Sequence, residues 1–265
     1  MDVEKKFKQT LDKIGLKKSS KILVAISGGK DSLTTAFLLK KFGYDIEGIF
    51  IDLCVDEYSK KSLESIREFC NMNNIKLNIY DLKKEQGKGM KYFWKKNCNL
   101  NHCSVCGVFK KWILNKEARR LKADYLATGH NIDDEVETIL LNTCKGSLNL
   151  GIKSGVLTKN KSDKKFVPRL KPLFYLENKE IKKFAEKNKL NFVRGVCPYR
   201  EESYRVEIRK FVDTLTLKEK ENIIKNFEIL SEKIKKTKNG EINYCEKCGE
   251  PSRNKICRMC ELFRK

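Results

Sequence analysis

The stretch that most constrains this chain is Lys21 to Phe42, KILVAISGGKDSLTTAFLLKKF. Lys21–Ile26 is a short apolar, β-branched run with the character of a buried strand. Ser27-Gly28-Gly29 interrupts it, and beyond Asp31 the apolar residues return with helical spacing. The segment therefore reads strand, glycine turn, helix. A glycine turn lets successive backbone N–H groups point into one concavity. The helix that follows adds the positive end of its dipole to the same spot. Such a corner binds phosphate. A Walker A loop would place four residues between a glycine and Gly-Lys-Ser/Thr. Here Ser27 to Ser32 is shorter and carries Asp31 after Lys30, a residue suited to Mg²⁺. The plain alternative is an ordinary β-turn-α corner. The coincidence of a glycine pair, a lysine and two hydroxyls in that setting tells against it.

The rest of the chain continues the pattern. Residues 3–18 read as a short amphipathic helix. Strands are predicted at 45–52, 76–82 and 124–128, and a short one at 191–193. Helices are predicted at 57–73, 104–122, 133–144, 178–190, 203–217 and 217–236. Residues 83–101 read as a polar and aromatic loop, and 145–171 as irregular. Strands alternating with helices at this spacing imply βαβ units and a parallel sheet. Ligands of such sheets lie beyond the carboxyl ends of the strands, which is where the glycine turn falls. Three segments are expected: a catalytic domain over 1–217, a linking helix over 218–241 and a small metal-binding knuckle over 242–265.

Charge and cysteine usage narrow the function. Lys and Arg number 57 against 35 Asp and Glu, a net charge of +22. A field of that size favours polyanions, with nucleic acid first, an anionic membrane surface second, and a merely lysine-rich composition the bland account. The segment from Lys153 to Lys171 concentrates the charge: Lys153, Lys159, Lys161, Lys164, Lys165, Arg169 and Lys171 face one acid, Asp163. It reads equally as a solvated loop or an RNA contact. The N-terminal residues contain no apolar core of a signal peptide, and no apolar run has the length of a membrane span. A cytoplasmic location is expected, and there eleven cysteines point to metal or catalysis rather than disulfides.

Cys245-x-x-Cys248 and Cys257-x-x-Cys260 can present four thiolates tetrahedrally, with Gly249 in the tight turn. The segment is too small to bury a core, so bound Zn²⁺ would supply its folding energy. Cys103-x-x-Cys106, at the start of a helix, is ambiguous by itself: a redox dithiol, half a zinc site, or part of an iron–sulfur site. Cys197 offers a third thiolate, and three cysteines without a fourth are the ligand count of a cluster with one open iron. Cys98 and His102 remain alternative ligands. Cys54, Cys70 and Cys144 read as small apolar core residues.

The segments SGGKDS (27–32), CSVCGVFKK (103–111), TGHNIDDEVET (128–138), RLKPL (169–173) and CPYREESYRVEIR (197–209) resemble, in that order, the tRNA 2-thiolation enzymes of the TtcA/TtuA group. These are PP-loop ATP pyrophosphatases. The C-terminal knuckles are similar to those of the TtuA-like, archaeal and eukaryotic branch. That branch usually begins with a further zinc finger, which is not expected here because no cysteine precedes Cys54. The resemblance implies an α/β fold with a Rossmann-like parallel sheet of the adenine nucleotide alpha hydrolase type. It implies ATP contacts at Ala25, Ser27, Gly28, Gly29, Lys30, Asp31, Ser32, Ile51, Lys110 and Gly129. Lys110, Asp134 and Asp31 would be catalytic, with Mg²⁺ on the phosphates. Cys103, Cys106 and Cys197 would hold a 4Fe-4S cluster. Asp134 has the ordinary alternative of a helix-start acid, and His130 that of a turn hydrogen bond. The implied reaction adenylates uridine O2 and replaces it with sulfur. The implied partners are tRNA, a sulfide or a thiocarboxylated ubiquitin-like sulfur carrier, and a second copy of the chain in a homodimer, with no membrane. A ligase or amidotransferase with only structural zinc is the competing enzyme class.

Overall fold

Ile22, Leu23 and Val24 are all buried, so β1 (Lys21–Ala25) is covered on both faces and stands at the centre of a sheet. In a computed structural model, residues 2–148, 155–158, 165–195, 197–199, 204–237 and 243–264 are described. Lys153, Lys159, Lys161, Asp163 and Lys164 of the expected basic loop, and 200–203 of the last motif, lie outside them. β1 pairs in parallel with β2 (Asp45–Asp52) on one side and β4 (Tyr125–Ala127) on the other. β3 (Lys76–Asp81) extends the sheet beyond β2, and β6 (Arg169–Leu170) beyond β4, both in parallel. β5 (Leu157–Thr158) closes the β6 edge antiparallel. The order is β3-β2-β1-β4-β6-β5. It reverses between β1 and β4, and the crevice at their carboxyl ends is where such sheets take ligands.

Alternation along β1 sorts the two layers. Ile22 and Val24 join the core under α1 (Val3–Lys13), α2 (Lys30–Lys41), α3 (Asp56–Met72) and α8 (Asn178–Lys187). Leu23 packs on the opposite face with Ile49, Leu126 and Ala118 of α6 (His102–Arg120). Beyond the sheet, α7 (Ile132–Cys144), α9 (Tyr204–Thr214) and α10 (Leu217–Thr237) share a third core of Ile132, Val136, Val212, Ile224 and Phe227. A small ribbon follows: β7 (Asn243–Tyr244) pairs antiparallel with β8 (Pro251–Ser252), and α11 (Arg258–Arg264) packs behind them.

Several expectations are corrected. The helix over 3–18 ends at Lys13, because Gly15 takes φ +63° and turns the chain away. The loop over 83–101 contains α4 (Leu82–Gln86) and α5 (Met90–Lys96), which bury Leu82, Met90, Phe93 and Trp94. Gly87, at φ +74°, ends α4, and Gly89 opens α5. The segment 145–171 contributes β5 and β6 to the sheet. Residues 191–193 form no strand; the Val193 N–H donates instead to the Gly28 carbonyl, 3.0 Å away. Cys70 is buried as expected, but Cys144 at the end of α7 is exposed and Cys54 is half-buried with φ +56°.

α10 is fastened to the starts of α7 and α8 by a buried charge. Lys220, 5% exposed, reaches Asp133 (2.7 Å) and Glu177 (3.1 Å) at the starts of α7 and α8. Removing one partner of a buried pair strands the other charge, at a cost of about 3–5 kcal/mol. Lys220→Ala is therefore expected to lower the unfolding free energy, measured by urea denaturation, by that margin. Lys60→Ala, which breaks the exposed pair with Glu57, should leave stability nearly unchanged.

Candidate active site and metal centres

The glycine turn leaves β1 and folds back on itself. Gly28 has φ +83°, a conformation that disfavours a side chain. Ser32 closes the loop: its Oγ donates to the Gly29 carbonyl (2.9 Å) and accepts from the Ser27 N–H (3.1 Å). Gly29 caps α2 with no side-chain hydrogen bond, so the first-turn N–H groups keep their donors for a ligand. Lys30 pairs with Asp31 at 2.7 Å. The turn after β4 closes the other wall. A Cβ on Gly129 would stand 2.7–2.8 Å from the Asp31 carbonyl group and the Ser32 nitrogen. Only a glycine lets the two backbones approach so closely.

Next to this contact, α7 begins with a capping box. The Asn131 side chain accepts from the Asp134 N–H (3.2 Å), and Asp134 accepts from the Asn131 N–H (3.3 Å). Asn131 also donates to Asp31, 3.4 Å away, joining the two turns. A polar pocket lies between them, lined among others by Lys30, Asp31, Asn131, Asp134, Glu137 and Arg209. Glu137 is almost fully buried and is held by Arg205 and Arg209, while Arg209 also reaches Asp134 at 3.6 Å. Crowding by protein and then the charge of Asp31 push the Asp134 carboxyl up to about 6. His130 makes the turn hydrogen bond, Nδ1 to Thr128 Oγ1 at 2.8 Å. Its surroundings, then Lys171, press its imidazole down to about 4, so it is neutral at neutral pH and is not the group that titrates there.

Cys103 and Cys106 stand in the first turn of α6, where Asn101 accepts from the Cys103 and Ser104 N–H groups (3.0 and 3.3 Å). Cys197 is brought opposite by its own segment: Val193 is tied to the glycine turn, and the Tyr199 hydroxyl donates to Asp56 at 2.8 Å. Both Cys103 and Cys197 lie close enough to act electrostatically on Cys106. Burial raises the Cys106 thiol, while the Trp94 indole N–H and the charge of Lys110 favour its thiolate. Trp94 Nε1 is buried and makes no hydrogen bond. Three thiols at a positive helix end, with an orphaned N–H among the residues packed around them, fit the donor set of a 4Fe-4S cluster. Cys98 is exposed, and the His102 ring stacks on Trp94 with centroids 4.8 Å apart.

The ribbon cysteines are gathered more tightly. The sulfurs of Cys245, Cys248, Cys257 and Cys260 lie within 4.8 Å of one another, the one such group among the described residues. Gly249 takes φ +65° and donates to the Cys245 carbonyl (2.8 Å), which forms the knuckle turn. Burial opposes the Cys245 thiolate, but the N–H groups of Cys257, Cys248 and Lys247 outweigh it and bring the thiol down to about 6. Burial pushes Cys257 up to about 11. A divalent ion would let all four ionise together, and a closed four-sulfur set suits structural zinc. The ribbon is docked on α5 and α6: Phe263 packs on Phe93 and Phe109, Lys96 donates to the Phe263 carbonyl (2.8 Å), and Arg119 pairs with Glu250.

The structure thus brings Ser27, Gly28, Gly29, Lys30, Asp31, Ser32, Gly129 and Asp134 to one crevice. Ala25 ends β1 and Ile51 lies near the end of β2, at the same sheet edge. Lys110 is exposed one turn beyond Cys106 on α6. Asn131, Glu137 and Arg209 belong to the crevice without having been singled out from sequence; Asn131 sits inside a motif read for its histidine and acids. Trp94 had no signal beyond an aromatic run before the Cys-x-x-Cys. No helix among the described residues is long and apolar enough to cross a membrane.

Residues 1–215 match the model of the PP-loop domain family. The chain is 36% identical to the "Probable sulfurtransferase" of Methanocaldococcus jannaschii over 98% of its length and 78% of that protein's. It is 32% identical to the tRNA-5-methyluridine(54) 2-sulfurtransferase of Pyrococcus horikoshii, over 98% of this chain and 84% of the relative. Among solved structures it is similar to the U34-tRNA thiolase NcsA from Methanococcus maripaludis with its 4Fe-4S cluster. That similarity has a TM-score of 0.84 and 28% identity, covering 99% of this chain and 86% of the other.

Two outcomes test this geometry. Gly129→Ala should force the β4 turn away from the glycine turn and weaken adenine nucleotide binding at least about tenfold, a loss of ~1.4 kcal/mol. Gly107→Ala, where a Cβ meets nothing, should leave binding unchanged in the same calorimetric titration. The second outcome concerns pH. Asp134 in the fold keeps its proton up to about 6, against ~3.9 in the unfolded chain. Between those values the folded state binds more protons, so this group's contribution to stability falls as pH rises. Asp134→Asn should remove that fall: its urea midpoint should gain on the wild type from pH 4 to about pH 6 and hold a constant lead above it.

Proposed function

We propose that this chain, which belongs to the PP-loop domain family, is an ATP-dependent tRNA 2-thiouridine synthetase. The observation that carries the reading is that one sheet edge bears both a phosphate-binding corner and a set of three thiols, joined by the Val193–Gly28 hydrogen bond. The relatives named as tRNA sulfurtransferases support it, as does the likeness to a tRNA thiolase.

A carbonyl oxygen leaves poorly, so uridine O2 must first be activated. Attack of O2 on the α-phosphorus of ATP forms the O–P bond and expels pyrophosphate. The free N–H groups at Gly28, Gly29 and the start of α2 bind the phosphates, with Ser27 and Ser32 shaping the loop. Lys30, released from Asp31, and Lys110 neutralise the charge that develops on pyrophosphate. Asp31, oriented by Asn131, is placed to hold Mg²⁺. The adenine meets the backbone near Ala25 and Ile51. Asp134, whose carboxyl is pushed up to about 6, is suited to move a proton beside the reacting uridine. Cys103, Cys106 and Cys197 would hold the 4Fe-4S cluster, which when bound supplies the site for the incoming sulfur. Sulfide from the donor then attacks C2 and forms the C–S bond; the bond from C2 to the adenylated oxygen breaks, AMP leaves with that oxygen, and loss of the sulfur's proton gives the 2-thio group. Zinc on Cys245, Cys248, Cys257 and Cys260 holds the ribbon against α5 and α6. The basic surface takes the tRNA by phosphate contacts. The reading further includes a sulfide or thiocarboxylated ubiquitin-like donor, a homodimer and a cytoplasmic location.

The test is anaerobic turnover with tRNA and ATP. AMP, pyrophosphate and a 2-thiolated nucleoside are expected; ADP and phosphate as the products would overturn the reading. Cys197→Ala should lose the iron and thiolation while keeping nucleotide binding, whereas Cys98→Ala should keep all three.

A further inference from the structure

Trp94 is unusual among the buried residues. It is 5% exposed, and its Nε1 has no hydrogen-bond partner. A buried indole N–H left unpaired costs free energy, so what stands beside it is informative. Its neighbours are the cysteines: Cys106 and Cys197 pack on the same apolar cluster as Trp94. The ring itself is fixed from both sides. His102, just before Cys103, stacks on it at 4.8 Å and 29°, and Tyr199, two residues after Cys197, packs at 4.9 Å. Tyr199 is in turn held by its bond to Asp56 (2.8 Å). Lys91, one turn before Trp94 on α5, pairs with the same Asp56 (2.6 Å) and lies 5.3 Å over the Tyr199 ring.

We propose that Trp94 is a positioning residue for the cluster: its N–H, which finds no partner within the protein, serves the Cys106 sulfur of the loaded chain, and its ring, clasped by His102 and Tyr199, holds the Cys197 segment against the start of α6. The inference rests on the thiolation reading and adds to it a residue outside every cysteine motif. An N–H donor on a ligand sulfur stabilises negative charge there, and more so after reduction, so it raises the cluster's reduction potential. The same bond draws density off the sulfur and weakens its bond to iron.

The experiment uses the full chain, reconstituted without oxygen. Trp94→Phe keeps a ring in the stack and removes the N–H. It should still take up iron, with a lower reduction potential and higher Fe–S(Cys) stretching frequencies in resonance Raman spectra. Trp94→Ala, which also removes the clasp, should hold less iron per chain. Zinc content and nucleotide binding should match the wild type in both variants. If Trp94→Phe takes up no iron, the benzothienyl isostere at position 94, which has the indole's shape without its N–H, is read by the same two signals. A loaded N–H-deficient chain with wild-type potential and frequencies overturns this inference alone. A wild-type chain that takes up no iron overturns the thiolation reading and this inference with it.

Discussion

The carboxyl edge of the sheet depends on how closely two backbones meet at Gly129. The glycine turn after β1 and the turn after β4 touch where any side chain would collide with Asp31 and Ser32. That contact lets Asn131 bridge to Asp31, and it places Asp134 beside a second carboxylate. The raised Asp134 pKa is therefore a consequence of backbone packing. His130 is kept neutral separately, by its own surroundings and the charge of Lys171.

The sulfur side is built on a different principle. No single element carries the three thiols; they are collected by contacts that run through neighbouring side chains. Val193 is drawn to Gly28, Tyr199 to Asp56, and the Trp94 ring lies between His102 and Tyr199. The ribbon then supports the same elements from behind. Cys245, Cys257, Met259 and Leu262 share one apolar core with Phe93, Trp94, Val105 and Phe109. A metal ion on the four ribbon cysteines would thus also buttress α5 and the first half of α6, the helix on which Cys103 and Cys106 stand.

Much of this was legible in the sequence where local pattern and tertiary role agree. The strand at 45–52 has the observed bounds, because an apolar run flanked by turns is buried on the sheet whatever lies around it. The glycine turn was legible for the same reason, as were the four ribbon cysteines, whose sulfurs the fold gathers within 4.8 Å of one another. α4 and α5 were not. Helices of five and seven residues gain little from periodicity and are set by the burial of Leu82, Met90, Phe93 and Trp94. Their glycines read as loop residues although they cap the two helices. Residues 191–193 looked like a strand because Val193 and its neighbours have β character, yet the segment makes one bond to the glycine turn where a ladder was expected. Trp94 carried no signal beyond its aromatic run: its place between His102 and Tyr199 is a tertiary contact that no spacing encodes.

The central pairing has a consequence during synthesis. Ile22 on β1 faces Tyr125 on β4, so roughly a hundred residues must be translated between the two. In that interval β1, β2 and β3 can assemble while the β4 side of β1 remains an open strand edge with apolar faces. Such an edge invites pairing with another chain. At ~5–20 residues per second, a ribosome leaves it open for roughly 5–20 seconds. The lysines around it, Lys17, Lys18 and Lys21 before the strand and Lys30 after, keep nascent chains of like charge apart. The basic composition that suits this protein to nucleic acid thus also acts as its guard against aggregation before the crevice exists.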